Sequence, residues 1–261
     1  MLRTKFVRAV QDLPRFGQVA DRLFADPRLA AIYDDIDNDR SDLDHYEAIV
    51  DELGAASVLD VGCGTGVFAC RLAKRGIAVT GVDPASASIE VARAKPPTGL
   101  VTWICGDATG LPPLPVDLAT MTGNVAQVFV RDEDWNAALA GVRHAIRDGG
   151  YFVFETRNPS FRGWEEWRSQ PSAIRQTRSA GPVEHSVELL DVELPLVSFR
   201  QTYRFLVDGA VLTSDTTLRF RERREIEDDL AAVGFDVIDV RDAPDRPGRE
   251  FVFITKAVPT S

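Results

Sequence analysis

The stretch VLDVGCGTG, residues 58–66, constrains the fold more than any other part of the sequence. Residues 58–61 form a short apolar run, and glycines follow it at positions 62, 64 and 66. A buried strand that ends in a glycine-rich turn before a helix lets the backbone approach a nucleotide closely. The sequence therefore predicts an α/β fold with a nucleotide-binding turn after its first strand.

Apolar segments and helical patterns alternate after this turn. The predicted strands cover residues 58–61, 77–82, 100–105, 116–121 and 151–154, and the predicted helices between them cover 67–75, 85–95 and 135–146, with Gly149-Gly150 closing the last helix. Two further helices are predicted before the first strand, over residues 16–37, with an interruption at Pro27, and 42–53. Continuous apolar strands that alternate with helices are typical of a parallel sheet covered on both faces.

Residues 157–221 interrupt this alternation. Apolar and polar residues alternate over 197–207, Asp208-Gly209 predicts a two-residue hairpin turn, and residues 211–220 form the returning strand. A helix that ends at Gly234 and strands over 235–240 and 251–255 follow. We therefore predict three parts: residues 1–156 with the N-terminal helices and the first part of the core, 157–221 as an inserted antiparallel substrate cap, and 222–261 as the rest of the core.

Composition excludes several classes of function. The net charge is -10, and an acidic surface disfavours a nucleic-acid partner. The longest run without a charged residue, 118–130, is interrupted by polar residues, so no membrane-spanning helix is expected. Cys63, Cys70 and Cys105 are too few and too scattered for a disulfide framework or a zinc site. We expect no metal site and a cytoplasmic protein.

Three features predict which nucleotide is bound. Position 67, where a dinucleotide fingerprint has a third small residue, is Val67, which argues against a dinucleotide. Asp83 ends the second strand, where a carboxylate accepts the hydroxyls of a ribose. Asp107 ends the third strand, and with the amide of Ala108 it suits the edge of an adenine. An NAD-dependent oxidoreductase stays an alternative that Val67 weakens.

The segments VLDVGCGTG, GVDPA, CGDATGLP, VDLATMTGNVAQVF and GGYFVFE occur in this order. This series resembles the class I S-adenosylmethionine-dependent methyltransferases (EC 2.1.1.-), closely over residues 57 to about 155 and more loosely over 220–256. The resemblance implies a Rossmann-like, doubly wound, seven-stranded sheet with N-terminal helices and an inserted antiparallel β cap. One departure is Asp148, where the family often has a proline before the two glycines; this position lies in a turn.

The resemblance also implies a site for S-adenosylmethionine. Its residues would be Tyr33, Asp60, Gly62, Cys63, Gly64, Asp83, Pro84, Asp107, Ala108 and Gly123. Asp60 and the backbone of the turn would hold the methionine end, and Gly123 would face the sulfonium. Pro84 would pack beside the adenine, while Tyr33 and Tyr46 resemble aromatic residues that close over the cofactor. A structural role for Asp60, capping the turn, stays an alternative.

Catalysis of methyl transfer needs an aligned acceptor more than a fixed set of acids and bases. Asn124 and Glu155, at the ends of the fourth and fifth strands, are predicted to face the acceptor, and His185 in the cap is predicted to be a general base. The predicted function is methyl transfer to an N or O atom of a small molecule. The alternative is an S-adenosylmethionine-binding protein without turnover.

Two charged segments have open or structural interpretations. Trp164 and Trp167 lie among several arginines, which fits either an acceptor pocket or a solvated lid, and the lid is favoured. The run over residues 219–224 is interpreted as the solvated start of a helix.

Overall fold

A seven-stranded sheet forms the centre of the computed structural model, which describes residues 20–259. Its strands are β1 (Ser57–Val61), β2 (Ala78–Asp83), β3 (Val101–Cys105), β4 (Val116–Met121), β5 (Ile146–Arg157), β10 (Phe235–Asp242) and β11 (Glu250–Ala257). Strands β6 to β9, which lie between β5 and β10 in the sequence, form a second sheet. The order is β3-β2-β1-β4-β5-β11-β10, and β11 alone runs in the direction opposite to the other six strands. The predicted doubly wound fold is confirmed.

Helices cover both faces of this sheet. The helices are α1 (Arg22–Ala25), α2 (Pro27–Ala30), α3 (Tyr33–Ile36), α4 (Asp44–Glu52), α5 (Val67–Lys74), α6 (Ser86–Ala94), α7 (Asp132–Ala145), α8 (Trp164–Trp167) and α9 (Arg223–Ala232). Val58 packs into the apolar cluster formed with α4 and α5, whereas Leu59 packs into the cluster formed with α7 and α9. Both sides of a central strand are therefore buried, which explains its uninterrupted apolar sequence.

The strand order reverses between β1 and β4, and this reversal positions the ligand site. In open α/β sheets, ligands bind in the crevice beyond the carboxyl ends of the strands at such a switch point. The glycine turn follows β1, and Gly123 and Asn124 follow β4. These two connections flank the crevice.

The second sheet is antiparallel and forms the cap. It contains β6 (Ala173–Thr177), β7 (Gly181–Glu193), β8 (Leu196–Phe205) and β9 (Val211–Arg219), in that order. The sequence predicts the β8–β9 hairpin but not β6 and β7. Helices α1 to α3 pack against this sheet through a cluster that joins Leu23, Leu29 and Ile32 with Val183 and Phe205.

Three predicted boundaries are wrong. The helix predicted over residues 16–37 is instead three one-turn helices from residue 22 onward; residues 16–19 lie outside the described part. The first break occurs because Asp26 accepts from the amide of Arg28 and starts a new helix at Pro27. Helix α7 ends at Ala145, and β5 already begins at Ile146. Gly149 and Gly150 therefore lie within the strand, where the β4–β5 register shifts.

The two charged segments are also more buried than predicted. Trp164 is buried in an apolar cluster with Leu218 and Phe220, so the solvated-lid interpretation is wrong for it. Arg219 and Arg221 are buried, and Arg221 donates to the carbonyl of Phe129, so the interpretation as a solvated segment is wrong for residues 219–221. Residues 222–224 are exposed at the start of α9, as predicted. The division at residues 156 and 221 stays a prediction. Every helix within residues 20–259 is too short or too polar to span a bilayer.

Candidate functional site

The glycine turn after β1 presents its backbone to the crevice. Gly62, Gly64 and Gly66 have positive φ angles of 71°, 52° and 78°, a conformation that glycine adopts without strain. The amides of Gly62 and Cys63 donate to the carbonyl of Val82 at 2.8 and 3.1 Å, which ties the turn to the end of β2. A Cβ at Gly64 would meet no atom within 4 Å. This side of the turn is therefore open to a ligand.

The third glycine of the turn accommodates a side chain of the protein. A Cβ at Gly66 would lie 2.3 Å from Cη2 of Trp103 and 2.9 Å from Cβ of Ala92. Gly66 is thus required by the packing of α5 against β3 and α6. The sequence alone gave no signal for this contact, because Trp103 is distant in the chain.

Asp83 fixes the turn from the end of β2. Its Oδ2 accepts from the amide of Gly64 at 2.9 Å, and its Oδ1 accepts from the amide of Ala85 at 2.8 Å. Burial raises the pKa of this carboxyl. Since each carboxylate oxygen accepts more than one hydrogen bond, Asp83 retains capacity for ligand hydroxyls.

Asp60 lies beneath the turn, fully buried. The hydroxyl of Thr120 lies 3.2 Å from its Oδ1. Burial, and to a lesser extent the charge of Asp83, raise the pKa of Asp60 to about 7. Asp60 therefore joins β1 to β4 directly before the turn.

The predicted adenine side lies at the ends of β2 and β3. Asp107 caps a single turn of 3-10 helix that begins at Ala108, and it accepts from the amide of Thr109 at 2.8 Å. The amide of Gly106 donates to the carbonyl of Asp83 at 3.0 Å, which holds the two strand ends together. Pro84 directly follows Asp83. The structure thus brings the predicted ribose and adenine residues to one edge.

A cavity of about 390 Å³ lies between the core and the cap. Among the residues that line it are Tyr33, Asp37, Gly123, Asn124, His185, Gln201 and Tyr203. These side chains come from the N-terminal helices, the connection after β4 and the cap sheet. Asn124 and His185, which the sequence predicts on the acceptor side, therefore line the same cavity.

Asn124 links this cavity to the end of the sheet. It has a φ of 61°, is 3 % exposed, and donates through Nδ2 to Oε1 of Glu250 at 3.0 Å. Its backbone amide donates to Oε1 of Glu155 at 3.0 Å. Its own Oδ1 has no hydrogen-bond partner in the structure.

Glu155 lies behind this connection and is not among the residues that line the cavity. It is fully buried, accepts from the hydroxyl of Tyr46, and lies 3.7 Å from Nη2 of Arg246. Tyr46 is itself buried in the cluster on the α4 face of the sheet. Glu155 and Tyr46 are therefore placed to hold the Asn124 connection in position.

Glu250, which belongs to no sequence motif, is the second buried carboxyl of this network. It starts β11, is 3 % exposed, and accepts from Arg246 at 2.9 Å in addition to Asn124. Burial, and then the nearby charge of Glu155, raise the pKa of Glu250 to about 7, while Arg246 and Arg157 oppose this rise.

We expect the replacement Glu250→Gln to stabilise the protein at alkaline pH. Because the folded-state pKa is raised from 4.5 to about 7, the protonated form stabilises the fold below pH 4.5, and this contribution is lost as the pH rises to about 7. A neutral amide avoids that loss. Thermal unfolding should show a melting temperature roughly 2–4 °C above that of the unmodified protein at pH 8 and equal values at pH 4.5, corresponding to about 1 kcal/mol. A lower melting temperature at pH 8 would contradict the prediction.

His185 belongs to a hydrogen-bonded chain on the cap. Its Nε2 lies 3.1 Å from Oε1 of Gln201, which also accepts from the hydroxyl of Tyr203 at 2.8 Å. Because a carbonyl oxygen only accepts, a neutral His185 carries its proton on Nε2 and its lone pair on Nδ1. Burial, and the charge of Arg175, lower the pKa of His185. The ring is therefore neutral at pH 7.

Helix α3 contacts the glycine turn through Asp34, a residue that belongs to no sequence motif. The hydroxyl of Thr65 donates to Oδ1 of Asp34 at 2.5 Å, and Lys95 pairs with its Oδ2. Tyr33, beside Asp34, lines the cavity, and burial raises its pKa to about 12. The helix thus contacts the turn and the cavity at once.

Comparisons with known proteins agree with this geometry. Residues 58–150 match the model of a family described as a methyltransferase domain. The chain is 31 % identical over 176 residues to an uncharacterized methyltransferase of Mycobacterium bovis, a match that covers 64 % of this chain and 87 % of the relative.

Two solved structures share the fold. The sugar N-methyltransferase KedS8 of Streptoalloteichus superposes with a TM-score of 0.70 at 17 % identity, over 87 % of this chain and 93 % of that one. The amino pentose methyltransferase CalS10 of Micromonospora echinaspora, bound to S-adenosylmethionine, gives a TM-score of 0.66 at 20 % identity, over 85 % of this chain and 93 % of that one. The chain belongs to the class I S-adenosylmethionine-dependent methyltransferases.

Proposed function

We propose that this S-adenosylmethionine-dependent methyltransferase methylates an N or O atom of a small molecule enclosed between the core and the cap. The observation that carries the proposal is the cavity, because it connects Gly123 and Asn124 at the switch point with the inner face of the cap. Its volume of about 390 Å³ lies within the range of small-molecule sites.

The residues at the switch point fit S-adenosylmethionine. Gly64 and Gly123 both have positive φ angles, and a Cβ at either would meet no atom within 4 Å, so both leave room for a ligand against the backbone. Asp83 would accept from the ribose hydroxyls, and Asp107 with Ala108 would bind the adenine. Asp60, Gly62 and Cys63 would surround the methionine end. The bound cofactor supplies a methyl group on a positively charged sulfur.

The protein's own contribution is to align the acceptor, exclude water and remove a proton. Asn124 and Tyr33 would orient the acceptor at the core side of the cavity. His185 would take the proton from the acceptor, because its ring is neutral and its lone pair is on Nδ1. Alignment in an enclosed site accounts for up to about 7–11 kcal/mol of barrier reduction in such reactions. Glu155 would act as a positioning residue through Tyr46 and the amide of Asn124.

The activities of the two similar proteins support a small acceptor. One is described as a sugar N-methyltransferase and the other as an amino pentose methyltransferase. For this reason the proposal includes a nitrogen atom as the methyl acceptor.

We expect Asn124→Gly and His185→Gln to lower kcat at least about tenfold, since general-base catalysis alone contributes 10²–10⁴-fold in typical enzymes. Glycine keeps the left-handed backbone of Asn124 without strain while removing its side chain. In His185→Gln, the acidic limb of the kcat profile below pH 6.5 should disappear, because the group that becomes protonated there is gone. Formation of S-adenosylhomocysteine measures both rates.

Calorimetry with S-adenosylhomocysteine provides the control. The affinity of both variants should stay within about twofold of the unmodified protein. Glu155→Gln should lower kcat less than Asn124→Gly. Glu155 lies behind the connection after β4, so this variant removes a charge there and leaves every group that lines the cavity in place. Unchanged kcat in both cavity variants would contradict the assignment of Asn124 and His185.

The experiment that tests the function is an acceptor panel. Purified protein is incubated with S-adenosylmethionine and with small amines, alcohols, phenols and thiols, and product formation is followed by mass spectrometry. Methylation of an amine, alcohol or phenol supports the proposal. Binding of the cofactor without turnover of any acceptor would favour a binding protein instead.

We also propose a reducing, cytoplasmic location. Cys63, Cys70 and Cys105 are all free thiols in the structure, as this location requires. Fractionation of cells that express a tagged chain tests this, and recovery outside the cytoplasm would contradict it.

A further inference from the structure

We infer that the acceptor is an amine that enters the cavity as an ammonium ion and is bound by Asp21 and Asp37 among aromatic rings. This inference rests on the proposed function and names the chemical class of its acceptor.

Asp21 is the first of the two acids that line the cavity. The hydroxyl of Thr216 donates to its Oδ2 at 2.6 Å. Among residues 20–259 no lysine or arginine forms an ion pair with Asp21. Burial raises the pKa of its carboxyl, and the nearby charge of Asp215 adds to that rise. A cationic ligand would supply the counter-charge that residues 20–259 do not.

Asp37 is the second acid, and it lies toward the core end of the cavity. Its side chain is 52 % exposed, and its cationic neighbour Arg40 is 4.0 Å away, at the limit of an ion pair. The charge of Arg246, which binds Glu250 and through it contacts Asn124, also acts on Asp37. Asp37 lines the same cavity as Gly123 and Asn124, where methyl transfer is proposed.

Aromatic rings stand beside both acids. Phe24, Tyr33, Phe199 and Tyr203 line the cavity. The ring centroids of Phe24 and Tyr33 are 5.5 Å apart at an angle of 55°, so the two rings form a corner and not a stack. The faces of such rings attract ammonium groups, and the attraction amounts to about 2 kcal/mol when the site is desolvated.

Asn124 provides a further hydrogen-bond acceptor. Asn124 lines the cavity and is 3 % exposed, and its Oδ1, enclosed by protein, has no hydrogen-bond partner among residues 20–259. An unpaired buried carbonyl oxygen costs about 1–3 kcal/mol, and a rotation of this side chain toward the cavity would let an N–H of the acceptor bind it. Carboxylates, ring faces and this oxygen all favour a donor that carries positive charge.

The two arginines of the cavity do not oppose this arrangement. Arg157 donates to Oε1 of Gln127 at 3.0 Å and lies 3.9 Å from Glu250, so these two residues hold its guanidinium and offset part of its charge. Arg175 lies on β6, the outermost strand of the cap, and is exposed. The ammonium site therefore lies on the side of the cavity away from Arg175, toward α1 and α3.

A primary amine would be methylated in two steps. The bound ammonium first loses one proton to Nδ1 of His185, which frees the nitrogen lone pair. The nitrogen then forms a bond to the methyl carbon, while the carbon–sulfur bond breaks and its electron pair stays on sulfur. The products are a methylated ammonium and S-adenosylhomocysteine, and His185 returns its proton to solvent.

A binding experiment tests the ammonium site without turnover. Phenyltrimethylammonium, its neutral isostere tert-butylbenzene and the anion benzenesulfonate are titrated into the protein with S-adenosylhomocysteine present. We expect the cation to bind about tenfold more tightly than the neutral isostere, which corresponds to about 1.4 kcal/mol. Equal or weaker binding of the cation would overturn the inference.

A turnover experiment uses acceptor pairs that differ only in the reacting group, such as benzylamine with benzyl alcohol and cyclohexylamine with cyclohexanol. Amines should be the methylated members. Asp37→Asn and Asp21→Asn should each raise KM for the amine about tenfold, while Asp39→Asn, an exposed neighbour that caps Ser41, should not. Folding of each variant is checked by its affinity for S-adenosylhomocysteine.

The outcomes separate the inference from the proposed function. Methylation of the alcohols and not of the amines would overturn the inference and leave the proposed function intact. Absence of turnover on every acceptor would contradict the proposed function, and the binding of phenyltrimethylammonium would then decide the ammonium site by itself.

Discussion

Asp83→Ala should weaken the binding of S-adenosylmethionine on the order of 10²-fold, because a hydrogen bond to a charged group contributes about 1.5–3 kcal/mol and 1.4 kcal/mol is tenfold. Two effects combine in this variant. The ribose hydroxyls lose their carboxylate, and the amide of Gly64 loses the acceptor that holds the turn at 2.9 Å. Calorimetry with S-adenosylhomocysteine measures the affinity directly.

Asp117→Ala is the matched control for Asp83→Ala. Asp117 also accepts from two backbone amides, those of Ala56 at 3.0 Å and Ser57 at 2.9 Å, but it lies at the opposite end of the sheet. Its removal should change stability and leave the affinity for the cofactor within about twofold. Equal losses of affinity in both variants would mean that Asp83 acts through folding alone, which would contradict its role as a ligand.

Gly66→Ala should lower the free energy of unfolding by roughly 2–4 kcal/mol. The φ of 78° strains any residue with a Cβ, and that Cβ would lie 2.3 Å from Trp103, where no two carbons fit. Chemical denaturation measures the loss. Combining the variant with Trp103→Leu should recover the part of the loss that comes from the clash, since a leucine leaves room beside the turn.

Gly76→Ala separates strain from the clash. Gly76 has a φ of 86°, close to that of Gly66, but a Cβ there would meet no atom within 4 Å. Its replacement should therefore cost only about 1 kcal/mol. Similar losses at the two positions would show that Trp103 moves aside freely and would contradict the packing role of Gly66.

The sequence predicts the central strands β1 and β4 well because both sides of these strands are buried. The apolar runs at residues 58–61 and 116–121 end at glycine turns or polar residues, and the observed strands agree within one residue. The predictions were poorer where burial is one-sided. Strands β6 and β7 carry polar residues on their exposed face, so they lack the continuous apolar run that marks a core strand.

In the site, residues at strand ends are predictable from the sequence, whereas contacts between distant residues are not. The prediction that Gly64, Asp83 and Asp107 lie at one edge follows from strand ends, which topology brings together, and the structure places them so. The contacts of Glu155 with Tyr46 and of Asn124 with Glu250 join residues 109 and 126 positions apart. No local pattern encodes such pairs, so Glu155 was assigned to the acceptor although it lies behind the cavity.

The N-terminal helices touch both halves of the reaction site. Asp34 binds Thr65 in the glycine turn, while the amide of Leu23 donates to Ser214 in the cap at 2.9 Å. One segment is therefore held in place from the cofactor side and from the acceptor side. A ligand that orders this segment lowers the entropy cost for the other ligand, and this cooperativity is equal in both directions. We therefore expect cofactor and acceptor to affect each other's affinity through this N-terminal segment, which calorimetry with each ligand in the presence and absence of the other would measure.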